Sequence, residues 1–152
     1  MSDSSQVVQA FESLVREKLP ELTTGLRGGT PDGYGNHVVL DVPWPANPSR
    51  ISLGAFYSPD DCFEISFSVS EARGPAERQI LIGSDLSGAI SATVDFLRDI
   101  LSGRILVDVV RHRFLWFRPY HLAFFREASR RASGRIVETL CWTANGKDED
   151  VA

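Results

Sequence analysis

Reactive side chains are scarce in this chain, with two cysteines, three histidines and one methionine among 152 residues. Cys62 and Cys141 lie far apart without CxxC spacing, so neither a disulfide framework nor a zinc site is implied. Each reads as a small buried hydrophobe, Cys62 beside Phe63 and Cys141 beside Trp142. His37, His112 and His121 match no HExxH or similar ligand spacing. His112 and His121 could converge with Asp108, but two surface imidazoles are the simpler account, and no metal is expected. Long apolar runs are also missing, and none approaches the ~20 residues a membrane-spanning helix needs. The opening MSDSSQVVQAFESLVREKL is polar and then amphipathic, unlike a secretory signal, so a cytoplasmic location is expected.

Signature motifs are absent too. Ser84 and Ser87 sit in GSDLSG, which is not a GxSxG nucleophile elbow, and a helix-capping role accounts for Ser84. Glycines 25, 28, 29, 33 and 35 are followed by a strand rather than by GK[ST] and a helix, which excludes a P-loop. No dinucleotide fingerprint occurs, so no cofactor is expected. Asp60–Asp61 fits a turn tip and Asp95–Asp99 an outer helix face, both too wet for paired acid–base work. There is no internal repeat and no low-complexity tract.

What is present is a legible alternation of elements. Leu86, Ile90, Val94, Leu97 and Leu101 recur at the spacing of one helical face, with Ser84 as cap and Gly103 as the left-handed stop. The β-branched run Ile105–Val110 follows as a strand. Residues 5–18 form a first helix with Val7, Val8, Phe11, Leu14 and Val15 on its stripe, ended by Pro20. Glu21–Asn36, rich in glycine, reads as a long loop. Strands are expected at His37–Val42, Ile51–Tyr57 and Cys62–Val69, the last two joined as a hairpin through SPDD. EARGPAERQ is a connector to a short strand at Ile80–Ile82. Arg111 and Arg113 would share a face with Ile105, Val107 and Val109, so a bend or bulge is expected near Arg111–Arg113. Pro119 should open a third helix, Tyr120–Ala132, with Arg126, Arg130 and Arg131 outward and Gly134 ending it. A strand at Arg135–Thr143 precedes a polar tail, 144–152, that should fray.

The expected fold is α+β, a single domain over residues 1–152. It holds an antiparallel or mixed sheet of about five strands with helices mainly on one face, in the order α-β-β-β-α-β-α-β. At this length about 68–70% of the unfolded surface can be buried.

Charge is segregated. The net charge is −4, yet from Arg104 to Arg135 eight arginines face only Asp108 and Glu127; that segment's +6 leaves −10 elsewhere. Within it, arginines interleave with Phe114, Trp116, Phe117, Tyr120, Phe124 and Phe125, the mixture enriched at protein interfaces. The candidate partner-binding residues are therefore Arg111, Arg113, Trp116, Arg118, Tyr120, Arg126 and Arg130. Trp44 joins them, because prolines on both sides hold its indole at low entropic cost; a lid over the core is the competing reading.

These features point to a small protein-binding module, of the inhibitor, immunity or chaperone kind, meeting a protein partner with an acidic surface. Pairing with itself as a homodimer is a further option. A second reading is an enzyme or small-molecule binder with a pocket between the glycine-rich loop 24–36 and the sheet, built from His37, Asp41, Asp60 and Cys62. A third is nucleic-acid binding through residues 104–135, which the acidic total charge disfavours.

Overall fold

The computed structural model describes residues 3–45, 47–59, 61–113, 118–131, 135–142 and 149–150. Helix α1 (Ser4–Lys18) is capped by Asp3, whose carboxylate accepts the Ser5 N–H at 3.2 Å. Val7, Val8, Phe11 and Val15 form its buried stripe, as the periodicity predicts. Pro20 ends it and begins a 3₁₀ turn, Pro20–Gly25.

The chain from Glu21 to Asn36 is not the loop that its glycines suggest: that turn leads into strand β1 (Leu26–Pro31). The glycines serve close approach instead. A Cβ on Gly25 would lie 2.8 Å from the Asp41 carbonyl oxygen. Gly28 and Gly29, with φ of 64° and 73°, sit where the pairing of β1 with β2 (His37–Pro43) slips, between Leu26↔Leu40 and Thr30↔Val38. Asp32 closes this hairpin by accepting the N–H groups of Tyr34 and Asn36.

Strands β3 (Ile51–Tyr57) and β4 (Cys62–Val69) fall where their alternation places them. β5 (Ala76–Leu81) begins earlier than Ile80, inside the connector. Together β1 to β5 make an antiparallel five-stranded sheet in sequence order. Helix α2 spans Leu86–Leu101. Its cap is Asp85 rather than Ser84: the carboxylate accepts the Gly88 N–H at 2.9 Å, and a side chain on Gly88 would collide with it. Gly103, at φ 77°, stops the helix as expected.

A second sheet follows, from β6 (Ile105–His112), β7 (Tyr120–Glu127), β8 (Ile136–Cys141) and the two-residue β9 (Glu149–Asp150), in the order β7-β6-β8-β9. β7 replaces the expected third helix, and within the tail expected to fray Glu149–Asp150 are described as β9. The sequence YHLAFFREA satisfies two periods at once. The strand period wins because β7 pairs with β6 without a slip, from Ile105↔Glu127 to His112↔Tyr120. The irregularity expected near Arg111–Arg113 lies earlier, where Val109↔Glu138 gives way to Val110↔Ile136. No bend is needed to expose the arginines, since burial fades along β6 from Val109 through half-buried Val110 to Arg111. Gly134, Thr143 and the tail residues 144–148 and 151–152 lie outside the described residues.

The fold is thus α+β, with two sheets in place of one. By contacts the chain divides into two compact units: Met1–Val42, Leu53–Ser66 and Arg78–Arg98 form the first, and Pro43–Ser52, Phe67–Glu77 and Asp99–Ala152 the second. In the first, Phe11 stacks on Phe63 at 5.9 Å, Tyr57 leans on Phe63 at 5.2 Å, and Leu22, Leu40, Leu53, Ile65, Val94 and Leu97 are buried. In the second, Trp44, Phe67, Phe125 and Trp142 form an aromatic cluster with centroids 5.1–6.5 Å apart. Among the described residues no helix is long and apolar enough to cross a membrane.

Candidate interaction surface

The second sheet positions the arginine-rich segment. β6 is central, so pairing partners across it share a face. One face carries Val107 with Phe125 and Leu140, and Val109 with Ala123 and Glu138. This is the core side, where Val107, Val109, Ala123 and Leu140 are buried. The opposite face runs in rows: Arg126–Leu106, Phe124–Asp108–Thr139, Leu122–Val110–Ile136 and Tyr120–His112.

Arg126 is not the outward guanidinium expected of a helix surface. It reaches across the strands to Asp108, with Nε 2.6 Å from Oδ2 and Nη2 3.3 Å from Oδ1. Thr139 Oγ1 donates to Asp108 Oδ1 at 2.8 Å, and Arg126 Nη1 donates to the Arg130 carbonyl at 2.8 Å. With side chains only 18% and 7% exposed, this forked pair is internal scaffolding in which both carboxylate oxygens accept bonds. Asp108 therefore forms no site with His112 and His121. His112 leans on Tyr120 at 5.1 Å, and His121 stands opposite Arg111 on the other face.

Trp44 is likewise core: at 1% exposure it packs on Phe67 and Trp142, so the lid reading of Pro43-Trp44-Pro45 holds and the exposed anchor does not. Trp116 lies outside the described residues. Arg130 is exposed but paired to Glu127 at 3.3 Å, and Arg104 to Asp99 at 3.7 Å, both surface contacts of small net effect.

Five arginines of the segment remain. Arg111, Arg113, Arg118, Arg131 and Arg135 are exposed, and none forms an ion pair with a described carboxylate. Strand pairing gathers several of them at the His112 end of the sheet. Arg111 donates its N–H to the Arg135 carbonyl at 3.1 Å, while Arg113 and Arg118 flank the β6–β7 connection. The turn between β4 and β5 adds another cation there: Arg73 donates its N–H to the His121 carbonyl at 2.9 Å, and its guanidinium lies 4.3 Å over the Tyr120 ring. Arg73 and Arg135 escaped the sequence reading of the site because only strand register brings them to Arg111.

Nearby carboxylates are spoken for. Arg50 pairs with Glu71 at 2.7 Å and also with Glu138. Burial disfavours the charges of Arg50 and Glu71, but their mutual bond outweighs it. Helped by Glu138, it raises the Arg50 pKa above the ordinary range; helped by Ser70 and the backbone, it holds the Glu71 carboxyl below its own. Among the described residues no carboxylate forms an ion pair with the five arginines.

Within the first unit, the alternative pocket residues are each engaged elsewhere. His37 Nδ1 lies 3.1 Å from the Gly29 carbonyl, its ring stacked on Tyr57, and Asp41 pairs with Arg27 at 3.1 Å. Burial first, then Asp61 and Glu64, push the Cys62 thiol up, the opposite of what a nucleophile needs. Asp60 lies outside the described residues. Among the described residues no group of three His, Cys, Asp or Glu side chains could hold a metal ion.

No family model, curated protein or solved structure matches this chain.

Proposed function

We propose that this chain is a protein-binding module, of the inhibitor, immunity or chaperone kind, whose basic sheet end docks on an acidic macromolecule. The observation that carries this reading is the set of exposed arginines, Arg111, Arg113, Arg118, Arg131 and Arg135, without a carboxylate partner among the described residues. Arg111, Arg113, Arg118 and Arg135 gather at one end of the sheet, where like charges repel, and an acidic partner turns that cost into attraction and steering. The aromatic and arginine mixture suits a protein interface. The engaged states of His37, Asp41 and Cys62 give the enzyme reading no comparable support.

The test is the triple variant R111A/R113A/R118A, titrated against fluorescent polyglutamate and against a DNA duplex over a range of salt. Polyglutamate binding should weaken about tenfold or more, while the thermal midpoint should stay within about 2 °C because the three side chains are exposed. Unchanged binding, or a variant that simply melts, overturns the reading. Duplex DNA binding more tightly than polyglutamate, with a steep salt slope, would put nucleic acid in the protein's place.

A further inference from the structure

The same end of the second sheet carries an apolar strip on the face opposite the aromatic core. Phe124 is 51% exposed and Val137 58%, both large apolar side chains left in water. Half-buried Leu122, Val110 and Ile136 form the row beside Phe124. The bulge in β8 enlarges this row, since Ile136 and Val137 together stand where a regular strand would set one residue against Val110. Asp108 in the floor presents no bare charge, because Arg126 and Thr139 occupy its oxygens. The strip runs out into Tyr120 and His112, and Arg113 and Arg118 stand beyond that row.

We infer that this strip seats the apolar side of an acidic amphipathic helix of the partner, with the helix's carboxylates reaching Arg113 and Arg118 at the β6–β7 connection. The inference rests on the protein-binding reading above and adds the partner's shape to it. Charge complementarity selects an acidic occupant. The sheet edges are partly taken, which favours a helix laid on the face over an added strand: β9 pairs with Leu140 and Cys141 of β8 at one edge, and at the other Arg73 holds the His121 carbonyl of β7. The dimensions agree: three strands are ~10 Å across and the rows from Tyr120 to Phe124 cover ~14 Å. That is the width of one helix and the length of about two and a half turns.

The experiment uses the full chain and peptides of about 18 residues that are helical in water. Two share one composition of leucine and glutamate. In the first, leucines recur at i, i+3, i+4 and i+7; in the second, the order is scrambled. Polyglutamate is the third probe. The striped peptide should bind about tenfold more tightly than the scrambled one. The double variant F124S/V137S should lose that preference while keeping its affinity for polyglutamate. Both residues are more than half exposed, so the variant should stay folded, which a melting curve verifies; should it not, the peptide comparison on the wild-type protein decides.

Equal binding of the two peptides, or a preference that survives F124S/V137S, overturns the helix inference. If polyglutamate still binds and depends on the arginines, the broader reading stands without it. Loss of polyglutamate binding sinks both. A dimer in sedimentation that F124S/V137S dissociates would name a second copy as occupant, which also overturns the inference.

Discussion

Arg50 shows how one side chain can settle where the acidic charge of this protein goes. Only 18% exposed, it pairs with Glu71 and Glu138, and its carbonyl accepts the Ser70 N–H at 2.8 Å. Replacing it with methionine keeps the stem and strands both carboxylates. R50M should cost about 1–2 kcal/mol in urea unfolding at pH 7, the scale of a charge-assisted bond to partly exposed partners. The pH dependence follows from Glu71, whose folded pKa is lowered from the usual 4.5. A depressed carboxylate contributes stability that is complete above its unfolded pKa and disappears as pH falls through the folded value. Wild type should therefore lose more stability than Glu71→Gln between pH 7 and about pH 3, the two converging in acid. Equal losses across that window would mean the pair does not matter to folding. None of this was visible in the sequence, where Arg50 belongs to a proline-rich turn and its partners lie in two distant segments.

At the scale of elements, what could be read in advance was whatever announces itself by a local period. The stripe of Phe11 and Val15, the run of Val94 and Leu97, and the alternation of Phe63, Ile65, Phe67 and Val69 each bury as they should. Two elements escaped for different reasons. β1 was hidden by its glycines, which allow backbone approach here and mark flexibility elsewhere. β7 was hidden because Phe124, Phe125 and Ala128 fit a helix as well as Ala123 and Phe125 fit a strand, and only its pairing partner β6 decides. The glycine argument can be tested inside β1. Gly29 has φ 73°, and an added Cβ would lie 2.9 Å from a Val8 methyl, whereas nothing lies within 4 Å of one at Gly33. G29A should cost about 1 kcal/mol or more through strain and crowding. G33A should stay within about 0.5 kcal/mol. Thermal unfolding of the two variants side by side checks both values.

For the whole molecule, composition was a better guide than motif. The excess of arginine between residues 104 and 135 includes five exposed guanidiniums that form no ion pair with a described carboxylate, but composition could not say which of the eight they are. Arg126 became scaffolding because Asp108 and Thr139 lie in its row, and Trp44 became core although prolines bracket it. Arg73 joined the basic end from a turn far upstream. Such sorting depends on register, which no stretch of sequence carries by itself.

The interleaving of the two units has a practical consequence. Each is assembled from three separated lengths of chain, and β3, β4 and α2 each run unbroken from one into the other. Neither unit can be excised as a contiguous gene fragment without severing elements that the other needs. Limited proteolysis should accordingly yield no long-lived core: a nick in any ordered connection should lead on to complete digestion, seen by mass spectrometry as intact protein and small peptides. A persistent intermediate fragment would show that one unit survives the loss of its counterpart. Any transplant of the basic surface onto another scaffold would have to carry the whole chain.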